Sequence, residues 1–399
     1  MFFPRLIVVS FFFLILVSGM AACDDPSDVS EPVYQTQWYT RVEIRDTTDT
    51  RLESHDLILS DHSDSFPKDI DVRQDGRYAT LISETVGEFA IKSIRVAMGT
   101  PETSPVFLDR VGNGRTKAGS GLFLDTGIYV FSYIENAGLE SSYSVLVAIN
   151  EDLDILWQAT LPSPEGYHWI DLQAVGQGPS GGLFLGGGIG TSVHSETGCL
   201  IKVSANSGEV EWTQVFSGIN CFIINDLVVV ENEIIWVGQA GNGEVYSSIV
   251  VKTDFNGQVN EIIDFPEPEG QLSFFRAIQW IGNADYIVGG DTWYSMQSSN
   301  AWFDVRKISS VGEVEWQISE PLHAAFMRSA RLFSVGNRIG LCGSIQSGVS
   351  SGENAGVIIW INFQGETIST EKIEGNFPLA DFSGGTHYVI AMTRSRLIE

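Results

Sequence analysis

The stretch LIKVSANSGEVEWTQVF, residues 200–216, decides the fold. Apolar and polar residues alternate from Leu200 to Ala205, the alternation stops at Asn206-Ser207-Gly208, and it resumes from Glu209 to Phe216. A period of two places successive side chains on opposite faces of a strand, and Asn-Ser-Gly is turn chemistry, so the segment reads as a β-hairpin. Glycine suits the turn because it takes positive φ without steric cost. The pattern returns as SIVVKTDFNGQVNEIIDF (248–265), FDVRKISSVGEVEWQISE (303–320) and VIIWINFQGETISTEKIE (357–374). The turn glycines Gly208, Gly257, Gly312 and Gly365 stand about 50 residues apart, and Trp157, Trp212 and Trp316 fall at matching places in the second strand of the hairpin.

Between the hairpins lies a second repeating unit, a pair of apolar strands. The later member of each pair usually ends in Gly or Ser, as in GGLFLGGGIG (181–190), NEIIWVGQAG (232–241) and ADYIVGGDTW (284–293). The earlier member includes YHWIDLQAV (167–175), CFIINDLVVV (221–230), FFRAIQWIG (274–282) and FMRSARLFSV (326–335). Each repeat of about 52 residues therefore holds four strands, and no segment shows helical periodicity. A four-stranded sheet cannot bury both its faces alone, but a ring of such sheets lets each face pack on a neighbour, which predicts a β-propeller.

The inner pair occurs seven times, near 66–83, 113–134, 167–187, 221–238, 274–290, 326–343 and 378–392. The outer hairpin follows six of them, at 88–110, 143–162, 198–216, 247–266, 301–320 and 355–374. The seventh hairpin lies at the amino end, residues 38–59. The expectation is an all-β, seven-bladed propeller closed by an N-terminal outer hairpin joined to C-terminal inner strands. Six or eight blades stay open, because the blade at 113–162 is weakly marked.

The first 22 residues carry one early positive charge, Arg5, then an apolar run from Leu6 to Val17, then small residues, the order of a secretory signal. The run is short for a membrane span of about 20 residues. It ends in Met20-Ala21-Ala22-Cys23, which resembles the bacterial lipobox. That resemblance implies diacylglycerol on Cys23, with membrane lipid as its partner. Residues 23–36 then form the lipidated cysteine and a polar tether, and 37–399 the propeller. Asp24 and Asp25 resemble an inner-membrane retention signal in some enteric lipoproteins and a surface-export signal in Bacteroidota-like ones. The implied address is the bacterial cell envelope, with the outer membrane or cell surface as the expected site.

VSANSGEVEW also resembles the quinoprotein-type (PQQ-like) repeat: a small residue, an Asn/Asp turn, Gly, then Trp. Copies ending at Trp157, Trp212 and Trp316 match, while Glu261 and Ser369 replace the Trp elsewhere. Some members of that superfamily bind pyrroloquinoline quinone and Ca²⁺ and oxidise alcohols or sugars. Others are lipid-anchored scaffolds without a cofactor, and this chain resembles those more. No adjacent cysteine pair or acidic ligand cluster marks a cofactor site, so none is expected.

The net charge of −27, from 50 acidic against 23 basic residues, argues against nucleic acid as a partner, since phosphate needs Lys/Arg clusters. Gly348-Val349-Ser350-Ser351-Gly352 matches a hydrolase nucleophile motif but lacks the helix that must follow. Gly176, Gly178 and Gly181 match a dinucleotide-binding motif but precede a strand, which makes them a hairpin turn. No metal site is expected. His55 and His62 read as surface residues, and Asp69, Asp71 and Asp75 as solvated carboxylates. Cys199, Cys221 and Cys342 read as small buried thiols, with a bridge between the first two left open.

The loops that lead into the inner strands carry Tyr167-His168-Trp169, Phe274-Phe275-Arg276 and Phe326-Met327-Arg328. Aromatic rings beside a polar donor suit sugars, peptides or partner side chains. His168, Trp169, Arg276 and Arg328 are the candidate ligand contacts at the channel mouth, for a protein or glycan partner. Two functions are expected to compete: a non-catalytic interaction scaffold, and a propeller enzyme acting on sugars or alcohols, either a quinoprotein-like oxidase or a carbohydrate-active enzyme.

Overall fold

The structure, a computed structural model, describes residues 35–398 apart from 50, 58–62, 87–90, 101, 113–115, 136–141, 192–196, 220, 242–245, 267–270, 284, 294–300, 325, 347–353, 374–375 and 382–386. Cys23 and the Gly348–Gly352 motif fall outside the described residues. The chain starts with β1 (Gln35–Asp46) and β2 (Arg51–Leu57). Blade 1 follows as β3 (Ser63–Val72), β4 (Tyr78–Val86), β5 (Ile91–Thr100) and β6 (Thr103–Val111). Blade 2 is β7 (Lys117–Phe123), β8 (Tyr129–Glu135), β9 (Tyr143–Ile149) and β10 (Ile155–Leu161). Blade 3 is β11 (Trp169–Gln177), β12 (Gly182–Gly190), β13 (Thr197–Ser204) and β14 (Val210–Val215). Blade 4 is β15 (Cys221–Val229), β16 (Ile234–Gly241), β17 (Tyr246–Thr253) and β18 (Val259–Phe265). Blade 5 is β19 (Leu272–Gly282), β20 (Asp285–Trp293), β21 (Ala301–Ile308) and β22 (Val314–Ala324). Blade 6 is β23 (Phe326–Val335), β24 (Arg338–Gln346), β25 (Asn354–Asn362) and β26 (Thr367–Ile373). The chain closes with β27 (Asn376–Asp381) and β28 (His387–Ile398).

Six sheets are antiparallel meanders in chain order, and the seventh has the order β2-β1-β28-β27. The two chain ends therefore share blade 7, and the ring has seven blades. β1 and β28 pair from Gln35↔Ile398 to Asp46↔His387. Arg338 of blade 6 reinforces the closure: its guanidinium binds Asp49 at 2.7 and 3.0 Å and lies 3.9 Å over the Trp360 ring. Tyr388 donates its hydroxyl to the same Asp49 at 2.5 Å.

The core is divided as the fold demands. Seven apolar clusters among the described residues each join two adjacent blades. Val42, Ile44 and Val389 of blade 7 meet Ile70 and Tyr78 of blade 1, for example. Strands in the middle of a blade are buried on both faces, as in β12, whereas outer strands such as β10 alternate. The outer hairpins of blades 3 to 6 each dock on the blade before. The indole N–H of Trp157 donates to Ala205 O at 3.1 Å, and its ring covers the turn at Gly208. Trp316 does the same to Phe363 O at 3.1 Å, over Gly365. In blade 4, where Glu261 stands at the Trp position, Lys252 pairs with that carboxylate at 2.7 Å and donates to Ser310 O at 2.8 Å. Cys199, Cys221 and Cys342 are buried, and among the described residues none of them forms a disulfide.

Candidate functional site

The seven innermost strands converge on a central channel of about 1190 Å³. Each of them carries a register shift near its middle: at Pro67/Asp69, Ala118/Gly121, Leu172/Ala174, Ile224/Asp226, Phe275/Ala277, Ser329/Arg331 and Asn376/Leu379. A bulge adds one residue to one strand, bends it and re-aims a side chain. The added residues Lys68, Ser120, Gln173, Asn225 and Arg276 all line the channel. The repeat thus sets a polar or charged group at one level of the axis in five successive blades.

Four of the charged residues that line the channel are basic (Lys68, Lys117, Arg276, Arg331) and five acidic (Asp69, Asp125, Asp171, Asp226, Glu231). That near balance contrasts with 23 basic against 50 acidic residues in the whole chain. Most of the acids hold neighbouring blades. Asp69 accepts the Gly121 N–H at 2.8 Å and the Ser120 hydroxyl at 2.6 Å, and Asp71 accepts the Phe123 N–H at 2.5 Å. Asp226 accepts the Ile278 N–H at 2.9 Å. Each acceptor lies about one repeat from its donor. Asp69 and Asp71 are therefore blade-to-blade clamps rather than solvated carboxylates; Asp75, exposed in a turn, pairs with Arg73 at 3.1 Å and accepts the Arg77 N–H at 3.1 Å. Arg331 reaches past blade 7 to donate to Asp69. Burial pushes the Asp226 carboxyl up to about 6, against the opposing pull of two backbone N–H groups and Arg331.

Nearer the strand starts, Lys117 Nζ contacts Asp171 Oδ2 at 2.5 Å, and Gln173 donates to the same oxygen at 3.1 Å. The other oxygen, Asp171 Oδ1, is buried and has no hydrogen-bond partner. In blade 5, Arg276 donates from Nε to Asp291 Oδ1 at 3.0 Å, and Trp293 Nε1 donates to Asp291 Oδ2 at 2.6 Å. Asp291 itself is fully buried. The Arg276 guanidinium lies 5.2 Å over Phe274, which meets Trp293 edge-on at 6.1 Å. Arg276 and Trp293 both face the channel.

Of the four candidate contacts, Arg276 is in the channel. His168 is exposed ahead of β11 and Trp169 is buried at its first position; neither lines the channel. Arg328, in β23, is opposite Ser344 of β24, and its side chain is outside the described set. Arg331 of blade 6 lines the channel; its place there, like those of Asp69, Asp171 and Trp293, escaped sequence reasoning. Aligning the repeats on their inner strands puts Asp69, Gly121, Asp226 and Arg331 in one column, the signal that finds the clamps. The Gly176–Gly181 motif is a hairpin turn, with the Gly181 N–H bonded to Gly178 O at 3.0 Å. Among the described residues no three His, Cys, Asp or Glu side chains gather in a group able to hold a metal ion.

No family model matches the chain, and no curated protein matches it by sequence. Its solved structural neighbours share the propeller at low identity. The WD40 propeller domain of Doa1 is 15% identical, with a TM-score of 0.42 over 71% of this chain and 91% of that one. A puromycin hydrolase variant is 11% identical, with a TM-score of 0.47 over 82% of this chain and 50% of that one. The Pan2 WD40 domain of Neurospora crassa is 12% identical, with a TM-score of 0.41 over 82% of this chain and 88% of that one.

Proposed function

We propose that the chain is a binding propeller of the bacterial cell envelope, anchored by lipid on Cys23, whose channel receives a group of a protein or glycan partner without transforming it. The carrying observation is the state of the channel acids. Of the five acids that line the channel, Asp69, Asp171 and Asp226 are each clamped by a backbone N–H or a cation, as is Asp291 behind Arg276, which favours a fixed receptor over an acid–base pair free to move protons. The anchor rests on Met20-Ala21-Ala22-Cys23. The Trp–Gly docks at Gly208, Gly257 and Gly365 support the likeness to quinoprotein-type repeats, as a structural likeness.

One observation favours the rival reading, an enzyme acting on sugars or alcohols: Asp226, raised to about 6 beside Asp69, has the character of a general acid. Purified propeller incubated with a panel of neutral and acidic oligosaccharides separates the two. Binding without product supports the receptor; product formation that Asp226→Asn abolishes replaces it with the enzyme. Radiolabelled palmitate incorporation, lost in Cys23→Ala, checks the anchor independently.

A further inference from the structure

The two halves of the upper channel carry complementary, unfinished chemistry. On blade 5, buried Asp291 takes the Nε of Arg276 and the indole N–H of Trp293, so both side chains are fixed from behind. Arg276 makes no other hydrogen bond among the described residues, and its side chain is 34% exposed where it lines the channel. A guanidinium held at Nε presents its remaining N–H fork to an anion, and carboxylate matches that fork. On blade 3, Asp171 lines the same channel with Oδ1 buried and unpartnered. A buried acceptor without a partner is destabilising, and a small rotation that turns the carboxylate to an incoming donor relieves it.

The nature of that donor follows from its neighbours. Lys117 already sits 2.5 Å from Asp171 Oδ2, so a second ammonium there meets like charge, whereas a hydroxyl does not. Trp293, with its N–H committed to Asp291, offers an indole ring to the apolar face of a ligand. A carboxylate, hydroxyls and an apolar ring face coexist in a sugar acid. The channel volume of about 1190 Å³ holds more than one such unit.

We infer that the channel binds an acidic saccharide, with a uronate carboxylate on Arg276, a ring hydroxyl donating to the Asp171 carboxylate and the sugar face on Trp293. This rests on the receptor reading above and names its ligand. Titration calorimetry on the propeller uses three probes: a galacturonic-acid trimer, the carboxyl-reduced galactose trimer of the same linkage, and tri-alanine. The expected result is tightest binding of the acidic trimer, at least tenfold weaker binding of the reduced trimer, and none of tri-alanine. Arg276→Gln is expected to weaken the acidic trimer at least tenfold and leave the neutral one unchanged, while Asp171→Asn weakens both. The comparison of acidic and reduced trimers on the unaltered protein needs no variant, so misfolding of a variant does not blunt it. Equal binding of the two trimers, binding of neither, or preference for tri-alanine overturns the inference. Capture of one reproducible envelope protein by a chain that ignores all three probes sinks this inference but keeps the receptor; turnover of the acidic trimer sinks the receptor reading instead.

Discussion

At the turn between the two outer strands, one backbone position governs how each blade meets its neighbour. Gly208, Gly257, Gly312 and Gly365 hold φ between 69° and 85° there. Leu153 and Asp49 hold the same left-handed conformation in blades 2 and 7, at φ 66° and 69°, although an L side chain resists it. The glycine–tryptophan rhythm was plain in the sequence because it repeats. What the tryptophan touches was not, since its partner lies in the following repeat. A Cβ on Gly208 falls 2.7 Å from Trp157 Cζ3 and 2.6 Å from Ala159 Cβ, whereas one on Gly181, at φ 78°, meets nothing within 4 Å. Gly181→Ala should cost only the left-handed penalty, about 1–2 kcal/mol. Gly208→Ala should cost roughly twice that, because the dock must also shift. Equilibrium denaturant unfolding of the two variants measures the difference, and equal losses would show that the Trp157 contact is slack.

The inner strand is the element that the sequence described least well. A period-two reading carries the strand's phase forward from its first residue, and a bulge breaks that phase. Arg331 shows the consequence: it follows the shift that begins at Ser329, and it lines the channel. Seven strands, their order and the blade boundaries were legible because they depend on turns and apolar runs. The clamps were not, because they depend on the phase after the bulge. One clamp makes a pH prediction. In the native state Asp226 titrates near 6, above the roughly 3.9 of an unfolded aspartate. Between those values the native chain holds a proton that the unfolded chain has released. The contribution of Asp226 to stability therefore falls as pH rises from about 4 to 6 and stays low above that. Asp226→Asn removes the titration. The difference in Tm, variant minus parent, should climb across that window and then level off, in thermal melts from pH 4 to pH 8; a flat or falling difference contradicts the assignment.

For the molecule as a whole, charge and closure set the behaviour. A net charge of −27 makes the folded ring repel itself. Raising NaCl from 10 to 200 mM shortens the screening length severalfold and should raise Tm, while the buried channel pairs change little. Arg338→Ala should weaken closure by about 1–3 kcal/mol, because it strips Asp49 of its bidentate partner and Trp360 of its covering cation. Removal of residues 35–57, which supply half of blade 7, should abolish cooperative unfolding in circular dichroism melts. The shared blade also imposes an order in time. Strand β1 leaves the ribosome before the other strands of the ring, yet its long partner β28 is made after all of them, so no ring exists until β28 has been synthesised. Until then the growing polypeptide offers unsatisfied strand edges to whatever surrounds it, the state in which one copy most readily pairs with another.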